Sequence, residues 1–335
     1  MRRQMPSRAV SITVGWFALA LFLVALPVAA GAQAPHAAEG WTHPRTPWGE
    51  PDLQGTWTTD DTIGVPVERD PDLGDRLFLT EEDLAERERR AEARRVAAAG
   101  RGGPPPANTG PPAHWGESAS APVRQTSFVV DPPDGRIPPV TPQGQQRAAG
   151  RDRGSFGTGP FDRPEDFTNF DRCISRGVVG SLLPRPYGNG LDIVQAPGVV
   201  AIRHEMIHEP RIIRVTADPP VGEGIRQYMG DARAYWDGDT LVVVTTNFTD
   251  RTSIGFNGNG LRHSEAMRLV ERFTRVSEDR IEWEVVVEDP ATYTQPFRIA
   301  TPIRRQDDYQ VFEYACHEGN YGLPNILSAA RVEEE

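Results

Sequence analysis

The chain has 335 residues, with 36 basic side chains, all of them arginine, against 47 acids, for a net charge of −11. An acidic chain without basic clusters is not built to bind nucleic acid or an anionic membrane surface. Its two cysteines, Cys173 and Cys316, include no CxxC or CxxH arrangement for a metal.

The first 33 residues read as a secretory signal peptide. Arg2, Arg3 and Arg8 form a positive start, residues 14–25 an apolar run, and Ala30-Gly31-Ala32 and Ala32-Gln33-Ala34 are small-x-small cleavage candidates. The run is too short for a membrane span, and an uncut signal anchor is the alternative reading. Removing it takes three arginines and no acid, leaving 33 arginines against 47 acids, a net of −14. The expected location is periplasmic or secreted, with no stable membrane span after signal removal. In such a compartment Cys173 and Cys316 most simply form one disulfide closing a loop of ~140 residues, and two buried thiols are the alternative.

Residues 34–170 read as an extended arm. At 41–57 it is rich in Pro and Gly and carries Trp41, Trp48 and Trp57, whose rings are expected to dock on the main body. Residues 53–57 (LQGTW) are a candidate short strand; Gly-x-Trp also occurs near the first strand of lipocalin barrels. Thr80 is the N-cap of a helix over about 80–99, with Glu81, Glu82 and Asp83 in its first turn and Gly100 as its stop. Alternating Glu and Arg at i, i+3 and i+4 make it a solvated surface helix. A Gly/Pro/Ala/Ser linker follows at 101–122, then a short strand at 126–130 and a tight turn at 131–135.

Residues 171–335 read as a β domain. Strand-like runs at 191–195, 199–207, 211–216, 232–236, 240–248, 266–276, 280–287, 297–304 and 309–314 are separated mostly by short turns such as Asp237-Gly238-Asp239. About nine strands joined this way predict an antiparallel meander that closes into a lipocalin-like barrel or a strongly bent sheet, with room for side chains or one small ligand. The fold class is therefore mainly β, with an irregular N-terminal arm and one surface helix. Period two places Ile281, Trp283, Val285 and Val287 on one face and Glu282, Glu284 and Glu288 on the other. By the same count Glu271 lies among Met267, Leu269 and Phe273. It is either paired with an arginine or an acid–base group with a raised pKa.

His204-Glu205-Met206-Ile207-His208 matches the H-E-x-x-H zinc-protease pattern. In a helix the two imidazoles would lie ~6 Å apart along the axis; in a strand the same spacing gives ~13 Å, too far for one zinc. The β-branched surroundings, the missing cap and Pro210 favour strands, so no metal ligand is assigned and no cofactor is expected. His208 then closes a strand at a barrel rim. Other polar candidates are Asp231 with Arg233 at a strand start, and His317 and Glu318 just after Cys316. The Gly-rich 255–260 stretch reads as a long hairpin loop, and no G-x-S-x-G elbow, Walker A loop or dinucleotide fingerprint is present.

The runs PDLQGTW at 51–57, VDPPDGRIPPVTP at 130–142, DRCISRG at 171–177, EMIHEPRII at 205–213, GDTLVV at 238–243, TTNFT at 245–249, ERFTR at 271–275 and YACHEGNYG at 314–322 span the mature chain. Together they resemble a large family of uncharacterised exported bacterial proteins. That resemblance carries no catalytic residue over. In its pattern EMIH is firmer than the histidine before it, which favours Glu205 and His208 over His204.

Two functional classes follow. The first is an exported barrel that binds a small, partly apolar molecule, with contacts expected from Glu205, Arg233, Trp236, Asn247 and Trp283. The second is a cofactor-independent acid–base enzyme, a lyase, isomerase or hydratase, using His208, Asp231, Glu271, His317 and Glu318. A metal-dependent hydrolase built from His208, His317 and a carboxylate is a weaker third.

Overall fold

Alternation of apolar and polar residues sets the architecture of the second half. β8 (Arg268–Arg275), β9 (Arg280–Glu288) and β10 (Phe297–Arg305) bury every second residue. The inward Leu269, Phe273, Trp283, Val285 and Ile299 are at most 1% exposed. Glutamates 282, 284 and 288 face outward as expected: Arg272 and Arg298 pair with Glu284 and Arg268 with Glu288 across strands, and Arg280 pairs with Glu282 along β9. The computed structural model describes residues 40–99, 113–121, 123–149, 161–207, 209–255 and 262–333. The signal segment, most of the 101–122 linker, His208 and most of the 255–260 loop lie outside the described residues.

Ten strands form one sheet. β3 (Gly190–Ala196), β4 (Val199–His204), β5 (Arg211–Val215), β6 (Asp231–Asp237), β7 (Thr240–Thr246) and β8–β10 follow one another in space as in sequence. β1 (Gly55–Thr58) closes the circle by pairing with both β3 and β10, through Trp57↔Leu191 and Trp57↔Arg305. The result is a closed nine-stranded barrel, with β2 (Val129–Asp131) added outside on β10. Closure leaves the barrel strands without open edges. The arm therefore supplies the closing strand. Trp57 anchors it, fully buried, with its Nε1–H donating to the Leu53 carbonyl at 3.0 Å and the Arg275 and Arg305 guanidiniums over its ring, both 5.5 Å away.

Two strand expectations are corrected. The meander is not wholly antiparallel: β5 and β6 run parallel, with Arg214 opposite Arg233. The connection at 216–230 is long enough for a crossover, which parallel neighbours require. It is pinned by Asn247, in a left-handed conformation (φ 57°), whose Nδ2 donates to the carbonyls of Val221, Gly222 and Ile225. Asp231 Oδ2 accepts from the Val221 N–H at 2.9 Å. Gly230 permits this approach, because a Cβ there would sit 2.5 Å from the Thr246 carbonyl oxygen. The second correction concerns 309–314, which is irregular and pairs with no strand.

The helix expected near 80–99 is α1 (Glu81–Ala99), where Thr80 Oγ1 accepts from the Asp83 N–H and Asp83 accepts in turn from Thr80. The other helices are α2 (Pro142–Ala149), α3 (Val178–Leu182), α4 (Cys316–Gly319) and α5 (Gly322–Glu333). Cys173 and Cys316 form a disulfide that ties the segment before α3 to α4. Among the described residues no helix is long and apolar enough to cross a membrane.

Candidate binding site at the barrel rim

The barrel interior is filled by side chains. Within it Glu271 is fully buried, bound by both terminal nitrogens of Arg211 and by the Trp283 Nε1–H at 3.1 Å. Arg211 also donates to Thr245 Oγ1 at 2.8 Å. Glu271 and Trp283 thus hold each other and a guanidinium.

The remaining sequence candidates fall in different places. Asp231 pairs with Arg233, and together with Asn247 it organises the crossover. Trp236 packs against the core. His317 and Glu318 lie exposed on α4. The four described acid–base candidates, Asp231, Glu271, His317 and Glu318, therefore do not meet around one cavity, and His208 lies outside the described residues. Residues 204–207 of the motif are not helical: β4 ends at His204, and Ile207 adopts φ 65°. His204 is buried with Val200, Ile202 and Met206, and burial, then Arg176 and Arg211, push its pKa down to about 3, so it stays neutral. No group of three or more His, Cys, Asp and Glu among the described residues is placed to hold a metal.

A recess of about 980 Å³ lies outside the barrel, at the end where β3, β4 and β10 meet the irregular segments. This volume is near the upper end for small-molecule sites. Glu205, the residue after β4, lines it. Tyr309, beyond β10, donates to Glu205 Oε1 at 2.6 Å. Glu205 Oε2 is buried with no hydrogen-bond partner, facing Gly190, where a Cβ would come within 2.6 Å of it. A side chain at position 190 would displace that carboxylate. Burial raises the Glu205 pKa, with Asp60 and Asp192 adding to the effect, and the Tyr309 hydrogen bond opposes it.

Beside it stands a second acid, Glu117. Its backbone N–H donates to the Pro186 carbonyl at 2.7 Å, bringing the 113–121 segment to the turn before β3. Gly188 N–H donates to Glu117 Oε1 at 2.9 Å, and Asn189 Nδ2 donates to Glu117 Oε2 at 2.8 Å and to Asp60 Oδ1 at 2.9 Å. Asp60 sits in the 3-10 turn that follows β1 and is buried. Burial first, then the carboxyl-to-carboxyl hydrogen bond and charge of Asp60, push Glu117 up to about 7. Glu117 is therefore the acid of this floor that titrates near neutral pH.

The walls are aromatic. Trp115 meets Tyr187 edge-on at 5.7 Å, Tyr187 meets Tyr314 at 6.4 Å, and Tyr309 meets Phe312 at 6.0 Å. The C-terminal segment forms one side, with Leu323 and Ile326 of α5 and both disulfide cysteines lining it. Asn320 Nδ2 fastens this side to the Asp171 carbonyl at 2.8 Å. Arg176 is fully buried nearby, close to the Tyr187 and Tyr314 phenols. Burial and Arg185 lower its pKa to about 9, so it remains a cation, but it does not line the recess.

Sequence reasoning found Glu205 and the cysteines and missed Asp60, Glu117, Asn189 and Tyr309. Glu117 lies in a low-complexity stretch, and Tyr309 in a run read as strand. One available signal was the aromatic content of 309–321, which carries Tyr309, Phe312, Tyr314 and Tyr321 without any strand period.

Fold and site define a closed β-barrel whose interior is packed and whose recess lies at its rim. Compared with protein-family models and with curated proteins, the chain gives no match.

Proposed function

We propose that the protein binds a small, partly apolar molecule in the rim recess, and that it does so in the periplasm after export. The observation that carries this reading is a concave site that joins aromatic walls to two half-buried carboxyl groups. Aromatic faces take a flat apolar body, and a few converging polar groups fix its orientation. The disulfide fits an oxidising compartment, as does the proposed membership of the exported family that the sequence resembles.

Native mass spectrometry of protein purified from the periplasm tests the reading. A molecule should be retained through purification and lost in Ile326→Trp, which places an indole in the recess from the half-buried face of α5. Retention unchanged in that variant would sink the proposal.

One observation favours a second reading, the cofactor-independent acid–base enzyme. Glu117 stands beside Asp60 on the Asn189 amide, and burial and Asp60 push it up to about 7, where a general acid or base is effective. On this reading Glu117→Gln abolishes turnover of the bound molecule without releasing it. On the binding reading the molecule leaves the protein chemically unchanged in both forms.

A further inference from the structure

Resting on the binding reading, we infer that the recess selects organic cations: molecules carrying an ammonium group on a flat, apolar body. The charged side chains lining it are Glu117, Asp171, Glu205 and Glu313, and no arginine or histidine lines it among the described residues. This one-sidedness is informative in a chain with 36 arginines, which elsewhere pair acids across its surface.

Three features of the floor point the same way. Glu205 Oε2 is buried without a donor, so a carboxylate oxygen that usually accepts hydrogen bonds has none. Asp60 and Glu117 crowd two acids around one asparagine amide, and Tyr309 and Glu205 stand close by. Around this floor lie the rings of Trp115, Tyr187 and Tyr309, whose faces carry the negative end of the ring quadrupole. An ammonium group is attracted by the rings and the acids together. A carboxylate ligand would meet like charge on the lining itself, since the nearby Arg176 does not line the recess, and this selects against it.

The floor also couples binding to protons. Glu117 holds a proton below about pH 7 because burial and Asp60 disfavour its charge. The groups facing it are Asp60, the Asn189 amide and, across the floor, Tyr309, with Glu205 beyond. A bound cation replaces that proton and stabilises the ionised acid. Cation affinity therefore rises with pH through about 7 and falls below it.

Three probes that share one indole body test this by calorimetry: tryptamine, indole-3-ethanol and indole-3-acetate. Tryptamine, whose amine resembles that of lysine and stays charged at neutral pH, should bind about tenfold or more tighter than the alcohol, and the acid weakest. Between about pH 8 and about pH 5.5 tryptamine affinity should fall by about sevenfold, approaching the factor that Glu117→Gln removes, while the alcohol changes little. Glu117→Gln should remove both the pH dependence and about tenfold of tryptamine affinity. Glu313→Gln, at an exposed position clear of the buried bonds, should weaken tryptamine alone and serves if the first variant does not fold.

Equal affinity for the three probes, or preference for the acid, would overturn the cation assignment while leaving the recess as a binding site. Failure of all three to bind would overturn it as well. Failure of the recess reading itself shows separately, as the retained mass that Ile326→Trp does not release.

Discussion

Glu271→Ala is expected to destabilise the fold by about 3–5 kcal/mol, the cost of removing one partner from a buried ion pair. The carboxylate is fully buried, and its partner Arg211 has a side chain only 3% exposed. Alanine would strand that guanidinium, whose Nε already has no acceptor, and would take the acceptor from the Trp283 Nε1–H. The double replacement Glu271→Leu with Arg211→Met removes both charges and fills much of the space, and is expected to recover most of the loss. Urea unfolding of the two variants separates the cases. Equal losses in both would show that the charges are not what the interior needs. A stable Glu271→Ala protein would contradict the pairing altogether and return Glu271 to the list of acid–base candidates.

The second large effect is expected at the disulfide. Replacing Cys173 and Cys316 together by serine should cost about 2–5 kcal/mol, because the bond closes a long loop in the unfolded chain. Its local consequence matters more for function. Beyond β10 the chain pairs with no strand. The 306–333 segment is fastened by the disulfide, by Tyr309 on Glu205, by Asn320 on Asp171 and by Arg331 on Asp162. Few of its residues are buried, so the one covalent bond, to Cys173 before α3, is a large part of what holds this segment in place. In the double serine variant, amide exchange should accelerate over 312–326 and the recess should lose its bound molecule, while β7–β9 keep their protection. Unchanged exchange over 312–326 would mean that non-covalent contacts alone hold that wall.

The barrel was largely legible in the sequence, and the site largely was not. Strands β8 and β9 announce themselves by strict alternation, and Asp237-Gly238-Asp239 marks the β6–β7 hairpin as expected. Glu271 stood out as a polar residue on an apolar face, although alternation alone left open whether arginine or substrate would meet it. Closure by β1 is different in kind. Gly55–Thr58 meets β10 across most of the chain, and no local pattern encodes that pairing. The parallel β5–β6 pair was readable in principle, since 216–230 is too long for a hairpin.

The rim site depends on contacts between residues far apart in sequence, none of which carries a motif. Glu117 is informative only because Asn189 and Asp60 reach it from two other segments. Of the conspicuous motif, His204 to His208, one described position reaches the recess. Glu205 faces the recess, while His204 is a neutral residue of the packed interior.

A crystal structure of the protein as purified from the periplasm tests the central claim most directly. A bound molecule should appear as discrete density in the rim recess, against Glu205, Tyr309 and the Trp115–Tyr187 wall, with the barrel interior occupied by its own side chains. Density enclosed within the barrel between Ile202, Leu269 and Trp283, with only solvent in the recess, would contradict it.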